Sequence, residues 1–251
     1  MLKKSHGKMN TIKKLKEHMK TIPFFMGCYN VYFNLRFGQR LKKKRKNFQK
    51  EHVELIQMFT KVLNDNGIQF WLEFGTLLGY YREHDVIKHD DDLDIGVFLS
   101  DSGKIKKALT ENGFKLIREF RADDGGLEEC YRYLHTSIDI FYFRNTDDNS
   151  SIYTYSFKSP VFPIKKKHLN KTLKMSVLKT TLKNYGFERA VFKDCNVYIP
   201  SKPEEQLKAL YGENFMVPDP SFDPRGKHFE CRTYFTHEEK PAFGVFMELP
   251  L

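Results

Sequence analysis

The segment Asp90-Asp91-Asp92-Leu93-Asp94-Ile95 places four carboxylates within six residues, and acidic and apolar residues alternate in its second half. Successive side chains of a β-strand point to opposite faces, so we expect Asp92 and Asp94 on one face while Leu93 and Ile95 enter a core. Two neighbouring carboxylates repel each other unless a cation lies between them, and paired carboxylate oxygens suit Mg²⁺ or Mn²⁺. The segment therefore predicts a strand that carries a metal site.

A second predicted strand contributes one more carboxylate. Residues 136–143, Thr-Ser-Ile-Asp-Ile-Phe-Tyr-Phe, are rich in β-branched and aromatic residues, and Asp139 stands between two isoleucines. If this strand neighbours the first, Asp139 joins Asp92 and Asp94 at one site. Three carboxylates on two strands suit two-metal phosphoryl transfer, because the ions must hold the attacking and leaving oxygens in line.

A glycine turn lies upstream of the aspartates. Residues 70–74, Phe-Trp-Leu-Glu-Phe, predict a strand that stops at Gly75-Thr76, and a short helix follows. Glycine lets a phosphate approach the backbone, while Thr76 and the free amides of the next turn form an anion site at a helix N-terminus. We therefore expect a phosphate site facing the metal site.

In their order along the chain, these motifs resemble the signature of the LicD and fukutin family of nucleotidyltransferase-fold phosphotransferases. One departure is that Lys88 and His89 stand where the family usually has a proline and an aromatic residue. The resemblance covers roughly residues 50 to 220. It rests on residues 75–82, 90–98 and 138–143, with further matches at 161–164, 199–200 and 207–212.

The resemblance implies an α+β fold with a nucleotidyltransferase-like mixed β-sheet flanked by helices. It also implies transfer of phosphocholine, ribitol phosphate or a similar polyol phosphate from a CDP-activated donor to a hydroxyl of a cell-surface glycan or lipid-linked glycan. Asp92, Asp94 and Asp139 would hold the metal ions, and Asp139 would help to deprotonate the acceptor. The residues expected to bind the donor phosphates are Gly75, Thr76 and Arg82.

The residues just before the predicted metal strand leave two interpretations open. His89, Asp90 and Asp91 are candidates for a substrate loop, yet acidic runs are usually solvated or form turns. Tyr211 is interpreted as a structural residue at a helix end, because Gly212 follows it. A capping box at Ser201 and Glu204 is expected to open that helix.

Charge divides the chain into two predicted regions. Residues 1–50 contain fifteen Lys or Arg and the single acid Glu17, so the rest of a chain with net charge +10 carries about −4. We predict a basic helical extension over residues 1–46 and a catalytic domain over 47–251. A nucleic-acid partner is disfavoured because the basic charge does not spread over the domain.

The extension has two interpretations that the sequence leaves open. Residues 21–35 are uncharged and aromatic, but fifteen residues are short for a bilayer span, which needs ~20. The segment could lie in the headgroup region with its flanking lysines on anionic lipids, or pack on the catalytic domain. The lysine-rich start and the scattered cysteines predict a cytoplasmic location, peripheral at the inner face of a membrane. In a eukaryote, the resemblance implies a Golgi membrane instead.

Two other functions compete with the phosphotransferase. The same fold hosts nucleotidyltransferases that act on a small molecule or on RNA, and a non-enzymatic basic protein could bind nucleic acid or membranes. For the fold, a helix is predicted over 47–66, with Val53, Ile56 and Phe59 on its apolar face. The last thirty residues give little periodic signal and are expected to be irregular.

Overall fold

The computed structural model describes the backbone of residues 23–219, 222 and 229–249, and side chains from residue 38 onward. Two compact units are distinguished, one of residues 1–43 with Leu251 and one of Lys44–Pro250. The predicted membrane-surface contacts of residues 1–37 lie outside the described side chains, and the predicted domain boundary at residues 46 and 47 stays a prediction. Within the described part of the chain, every helix is too short or too polar to cross a bilayer.

Helix α1 runs over Pro23–Asp65 and so starts well before the predicted Asn47. The bridging residues 39–50 are mostly Lys, Arg, Leu and Gln, which favour a helix, so local propensity carries the helix through the basic run. In the unit that begins at Lys44, the buried positions of α1 include Phe48, Ile56 and Phe59. Val53 is 37% exposed, so its predicted place on the apolar face is wrong.

The remaining helices are short. Helix α2 covers Phe74–Glu83, α3 covers Ser102–Glu111 and α4 covers Pro203–Tyr211. Single 3₁₀ turns occur at Leu99–Asp101 and Lys166–His168. The predicted capping box at Ser201 is wrong, because Lys202 is the N-cap of α4 and makes no side-chain cap hydrogen bond. Glu204 instead accepts a hydrogen bond from the Tyr81 hydroxyl, and Pro203 supplies the first helical residue.

The strands form one large mixed sheet and one hairpin. The sheet order is β11-β8-β6-β5-β4-β3-β12-β7, with β2 joined to β5 and β1 joined to β2, while β9 and β10 pair with each other. The pairing of β2 with β5 is parallel and the other pairings among the described strands are antiparallel, which confirms the expected α+β class. The strands are β1 (Phe70–Leu72), β2 (Leu93–Phe98), β3 (Lys115–Ala122), β4 (Leu127–Tyr133), β5 (Thr136–Asn145), β6 (Ser151–Lys158), β7 (Thr172–Lys174), β8 (Ser176–Lys183), β9 (Phe187–Phe192), β10 (Cys195–Pro200), β11 (Arg232–Phe235) and β12 (Ala242–Phe246).

The last part of the chain is more regular than its sequence predicts. Strand β11 pairs with β8, and β12 pairs with both β3 and β7. The expectation of an irregular segment is therefore wrong. Strands of four and five residues carry too few positions for a clear period, so their structure comes from the neighbours that they pair with.

The parallel pair of β2 and β5 positions the predicted metal residues. Its register places Asp94 opposite Asp139, and Leu93 opposite Ile138. Leu93 and Ile138 are buried in the main core, so the aspartates share the other face of the pleat.

A glycine on β2 gives room to the one tryptophan of the chain. Trp71 is fully buried, and a Cβ built on Gly96 would lie only 2.2 Å from its indole Nε1. The two residues are partners in the antiparallel pairing of β1 with β2. Gly96 therefore allows the indole to cross the strand and hold β1 beside β2.

Candidate active site

A carboxylate of β2 is bonded to the turn that opens α2. The Gly75 amide donates to Asp94 Oδ2 at 3.0 Å, and the Asp94 amide donates to Thr76 Oγ1 at 2.8 Å. The Glu73 amide also donates to the Asp94 carbonyl at 3.1 Å. The glycine turn and the aspartate strand, which sequence analysis expected to face each other, are thus in direct contact.

Gly75 lies between two carboxylates. A Cβ at this position would lie 3.0 Å from Asp94 Oδ2 and 3.1 Å from Asp90 Oδ2. Its amide, which was expected to bind a donor phosphate, has Asp94 as its partner within the chain. Thr76 is buried and directs its hydroxyl at the Asp94 backbone.

Glu73, the N-cap of α2, anchors this turn. Its fully buried carboxylate accepts hydrogen bonds from Trp71 Nε1 at 2.7 Å, from the Phe74 amide at 3.3 Å and from Gln206 Nε2 at 2.8 Å. Burial raises the pKa of Glu73 to about 7, although these three hydrogen bonds oppose the rise. Phe74 has φ of 42°, a left-handed conformation that is rare outside glycine and is found where surrounding contacts enforce it.

The aspartates near Gly75 have raised pKa values. Burial raises the pKa of Asp94 well above its usual range, and Asp92, Asp139 and Asp90 add to the rise. Burial, together with Asp92 and Asp91, raises the pKa of Asp90 to about 7. The pKa of Asp92 is raised by burial and by Asp139 and Asp91, while Lys44 opposes the rise. The groups around Asp90, Asp92 and Asp94 therefore compensate the ionised forms of these carboxylates poorly.

The pKa of Asp139 is shifted in the opposite direction. Burial opposes its ionisation, but Arg118, the Cys130 thiol and Lys44 outweigh burial and lower its pKa. Arg118 Nη2 lies 2.7 and 2.8 Å from the two Asp139 oxygens. Asp139 is thus an ionised carboxylate with protein partners on both oxygens.

Two cations of the site were missed by sequence analysis. Arg118 lies on β3, and Lys44 lies on α1 with its Nζ 3.0 Å from both Asp91 Oδ1 and Asp92 Oδ2. Lys44 belongs to the basic run that was assigned to the extension. No local pattern distinguishes either cation, since their partners are far away in the sequence.

Arg82 and the loop residues occupy the edge of the site. The Arg82 guanidinium donates to Glu83 Oε1 at 2.7 Å and to the Phe215 carbonyl at 3.4 Å. Its charge lowers the pKa of Asp90, against the larger effects of burial and the neighbouring acids. His89 is exposed in the turn that precedes Asp90.

Tyr211 lies closer to the aspartates than its structural interpretation implied. Burial raises the pKa of its hydroxyl well above the usual range, and Asp94 is the largest charge that adds to the rise. The ring also packs on Phe222, with centroids 5.2 Å apart. Tyr211, the last residue of α4, therefore lies within electrostatic reach of Asp94.

The donor chemistry of the site fits a divalent ion at two of the three expected residues. Within the described residues, no three or more His, Cys, Asp and Glu side chains are grouped so that they could hold an ion as they stand. Asp92 and Asp94 are nevertheless neighbouring oxygen donors whose charge is poorly neutralised, which is the environment that Mg²⁺ or Mn²⁺ relieves. Asp139 is engaged by Arg118 on both oxygens, so its place as a metal ligand stays a prediction.

Comparison with protein families identifies the segment that contains these aspartates. The profile described as "LicD/FKTN/FKRP, nucleotidyltransferase domain" matches residues 67–186. These 120 of the 251 residues are similar to the LicD/FKTN/FKRP nucleotidyltransferase domain. The resemblance inferred from the motifs is thereby confirmed. The LicD/FKTN/FKRP segment includes β1 to β8, and hence Gly75, Asp94 and Asp139, whereas Lys44 precedes it.

Two human proteins are similar in sequence to part of this chain. Human "Ribitol-5-phosphate transferase FKTN" is 29% identical over 178 residues, which cover 70% of this chain and 35% of the relative. Human "Ribitol 5-phosphate transferase FKRP" is 32% identical over 101 residues, covering 37% of this chain and 20% of the relative. The chain thus spans about a third of FKTN.

Among solved structures, a crystal structure of the lincosamide antibiotic adenylyltransferase LnuA bound to lincomycin is similar with a TM-score of 0.32. It is 16% identical and the similarity covers 57% of this chain and 75% of that one.

Proposed function

We propose that this chain transfers a phospho-alcohol, with ribitol phosphate as the first candidate, from a CDP-activated donor to a hydroxyl of a glycan. The match of residues 67–186 to the LicD/FKTN/FKRP nucleotidyltransferase domain and the similarity to the ribitol-5-phosphate transferase FKTN support the reaction class. The observation that carries the proposal is the pairing of Asp94 with Asp139 beside the Gly75 turn. It provides adjacent carboxylates and a close backbone approach, which phosphoryl transfer needs.

In this proposal, each carboxylate has a separate task. Asp92 and Asp94 would hold Mg²⁺ or Mn²⁺, which would supply positive charge to the donor phosphates. Asp139 orients the acceptor hydroxyl and takes its proton as the oxygen attacks phosphorus and the bond to CMP breaks. The lowered pKa keeps Asp139 ionised and therefore able to accept a proton, but it also makes Asp139 a weak base. A loose phosphoryl-transfer transition state needs positioning of the hydroxyl more than a strong base.

The donor phosphates are proposed to bind beside the opening of α2. Gly75 keeps this place clear of a side chain, as the short distances from a built Cβ to Asp90 and Asp94 indicate. Thr76 fixes the turn on β2. Arg82 is the cation assigned to charge that develops on the leaving group, and it would have to exchange Glu83 for phosphate.

The test follows product release from three compounds. The protein is incubated with Mg²⁺ and CDP-ribitol, CDP-choline or CTP, and CMP and pyrophosphate are measured. We expect CMP from CDP-ribitol, and a loss of about 10³-fold or more in Asp94→Asn. Asp147→Asn, in an exposed loop, is the matched control and should retain activity.

Two results would redirect the assignment. Pyrophosphate release from CTP would favour a nucleotidyltransferase instead of a phosphotransferase. Equal CMP release by folded Asp94→Asn and wild-type protein would remove the metal site from the mechanism. Circular dichroism and thermal unfolding of each variant establish that it is folded.

We also propose that residues 1–46 contact an anionic membrane surface. This contact would bring the protein to a glycan acceptor carried by the membrane. The basic composition of this region supports it. Cosedimentation with vesicles containing phosphatidylserine, with and without residues 1–37, tests it. Equal cosedimentation of both proteins would exclude residues 1–37 as the membrane contact.

A further inference from the structure

Lys44 places a positive charge inside the acidic cluster. Its ammonium lies 3.0 Å from Asp91 Oδ1 and 3.0 Å from Asp92 Oδ2, and its side chain is only 13% exposed. Arg45 and Lys46, the next two residues of α1, are exposed. The position of Lys44 is thus specific and is not a general property of the basic run.

The position of Lys44 on α1 explains why this lysine, and not its neighbours, reaches the carboxylates. Phe48, one turn further along α1, is fully buried in the main core. Residues four apart lie on the same face of a helix, so the packing of Phe48 directs Lys44 toward the sheet. A lysine placed there loses solvation, and the two carboxylates that it contacts compensate for that loss.

Asp92 is also one of the two residues assigned to a divalent ion. The oxygen that receives the lysine, Oδ2, is therefore one that an ion at Asp92 would need or would approach closely. Two cations cannot share one carboxylate oxygen at contact distance without strong repulsion. The long, flexible stem of lysine lets its ammonium move away while the helix stays in place.

We propose that Lys44 is a tethered counter-cation of this site, which holds Asp91 and Asp92 together in the ion-free protein and must leave Asp92 before a divalent ion binds. The inference rests on the proposed function only in that it assigns a divalent ion to Asp92. It adds a regulation of that site by a residue outside the LicD/FKTN/FKRP segment.

The test is the affinity for Mn²⁺ alone, measured by electron paramagnetic resonance of free Mn²⁺ and by calorimetry. Lys44→Met keeps the length of the side chain and removes its charge, and Lys46→Met is the matched control on the same helix. We expect Lys44→Met to bind Mn²⁺ about tenfold more tightly or better, because displacing a charge-assisted hydrogen bond costs at least that much. Lys46→Met and Lys44→Arg should bind like the wild type.

Thermal unfolding gives a second readout. Without metal, Lys44→Met should unfold at a lower temperature than the wild type, since Asp91 and Asp92 lose their shared partner. Saturating Mn²⁺ should raise its Tm by more than it raises that of the wild type. If Lys44→Met does not fold, Lys44→Met combined with Asp91→Asn removes one unpaired charge and keeps Asp92 for the same Mn²⁺ titration.

Equal or weaker Mn²⁺ binding by the variants that lack the Lys44 charge would overturn the inference, as would binding by neither variant nor wild type. The donor assay separates this failure from that of the proposed function. Mn²⁺-dependent CMP release with unchanged Mn²⁺ affinity in Lys44→Met would leave the phosphotransferase standing and reject the counter-cation. Tighter Mn²⁺ binding by Lys44→Met without turnover of any CDP-linked donor would support the counter-cation and reject the phosphotransferase.

Discussion

Arg118 bridges both carboxylate oxygens of Asp139 with a single nitrogen, Nη2, at 2.7 and 2.8 Å. The two residues lie on β3 and β5, and Cys130 of β4 lies between them, in register with each. An irregularity in the β3–β4 ladder falls between Leu116 and Arg118. Such a bulge changes the direction of a side chain, and here it precedes the arginine that keeps Asp139 ionised.

We expect Arg118→Met to destabilise the fold by about 3–5 kcal/mol, because it leaves the Asp139 carboxylate without its main partner. Arg118→Met combined with Asp139→Asn should recover a large part of that loss, since the uncompensated charge is then gone. Urea unfolding of the two single variants and the double variant measures the coupling. Additive losses would show that the pair contributes little beyond its separate contacts.

We expect Gly75→Ala to reduce CMP release about 10²-fold or more with little loss of stability. A Cβ at residue 75 would displace the Asp94 and Asp90 carboxylates, which lie 3.0 and 3.1 Å away, and misplacement of reacting groups is costly. Gly103→Ala is the control, because a Cβ there meets nothing within 4 Å. Full activity in Gly75→Ala would show that the space beside this turn is not used.

We expect the ion-free protein to lose stability as pH rises from 5 to 8. The folded-state pKa of Glu73 is about 7, above its ordinary value of 4.5, so its contribution is fully present below pH 4.5 and is lost as pH passes 7. In Glu73→Gln the fall should be smaller by roughly 3 kcal/mol. Urea unfolding at each pH gives both slopes, and parallel slopes in the two proteins would contradict the raised pKa.

We expect Gly96→Ala to destabilise the protein by about 3 kcal/mol, at the upper end of ordinary overpacking costs. The added methyl group would lie 2.2 Å from Trp71 Nε1, and the indole also donates to Glu73. Trp71→Phe in the same chain should relieve part of the clash, so the double variant should be more stable than the sum of the two losses predicts. A normal Tm for Gly96→Ala would mean that the indole moves without cost.

Local sequence determined the elements around the aspartates. Alternation of acidic and apolar residues predicted β2, and the β-branched run around Asp139 predicted β5, because a strand with one buried face imposes a period of two on its own residues. Gly75 marked the start of α2 for a similarly local reason. The order of these motifs was enough to predict the resemblance to the LicD and fukutin family and the α+β class.

Elsewhere, regular structure depended on distant partners. Strands β11 and β12 are too short to carry a period, and they form by pairing with β8, β3 and β7. The start of α4 followed Pro203 and the packing of the helix, not the sequence pattern at Ser201. Weak local signals of this kind are decided by tertiary contacts.

The sequence by itself therefore determined which face of each strand carries its carboxylate, because the strand period is a property of neighbouring residues. Only the tertiary structure decided that β2 and β5 are parallel neighbours and which cations neutralise their carboxylates. Lys44 is 47 residues from Asp91, and Arg118 is 21 residues from Asp139. The face that α1 buries brings Lys44 to its carboxylates, and the irregularity in β3 precedes Arg118. Neither feature can be recognised from the residues next to these two cations.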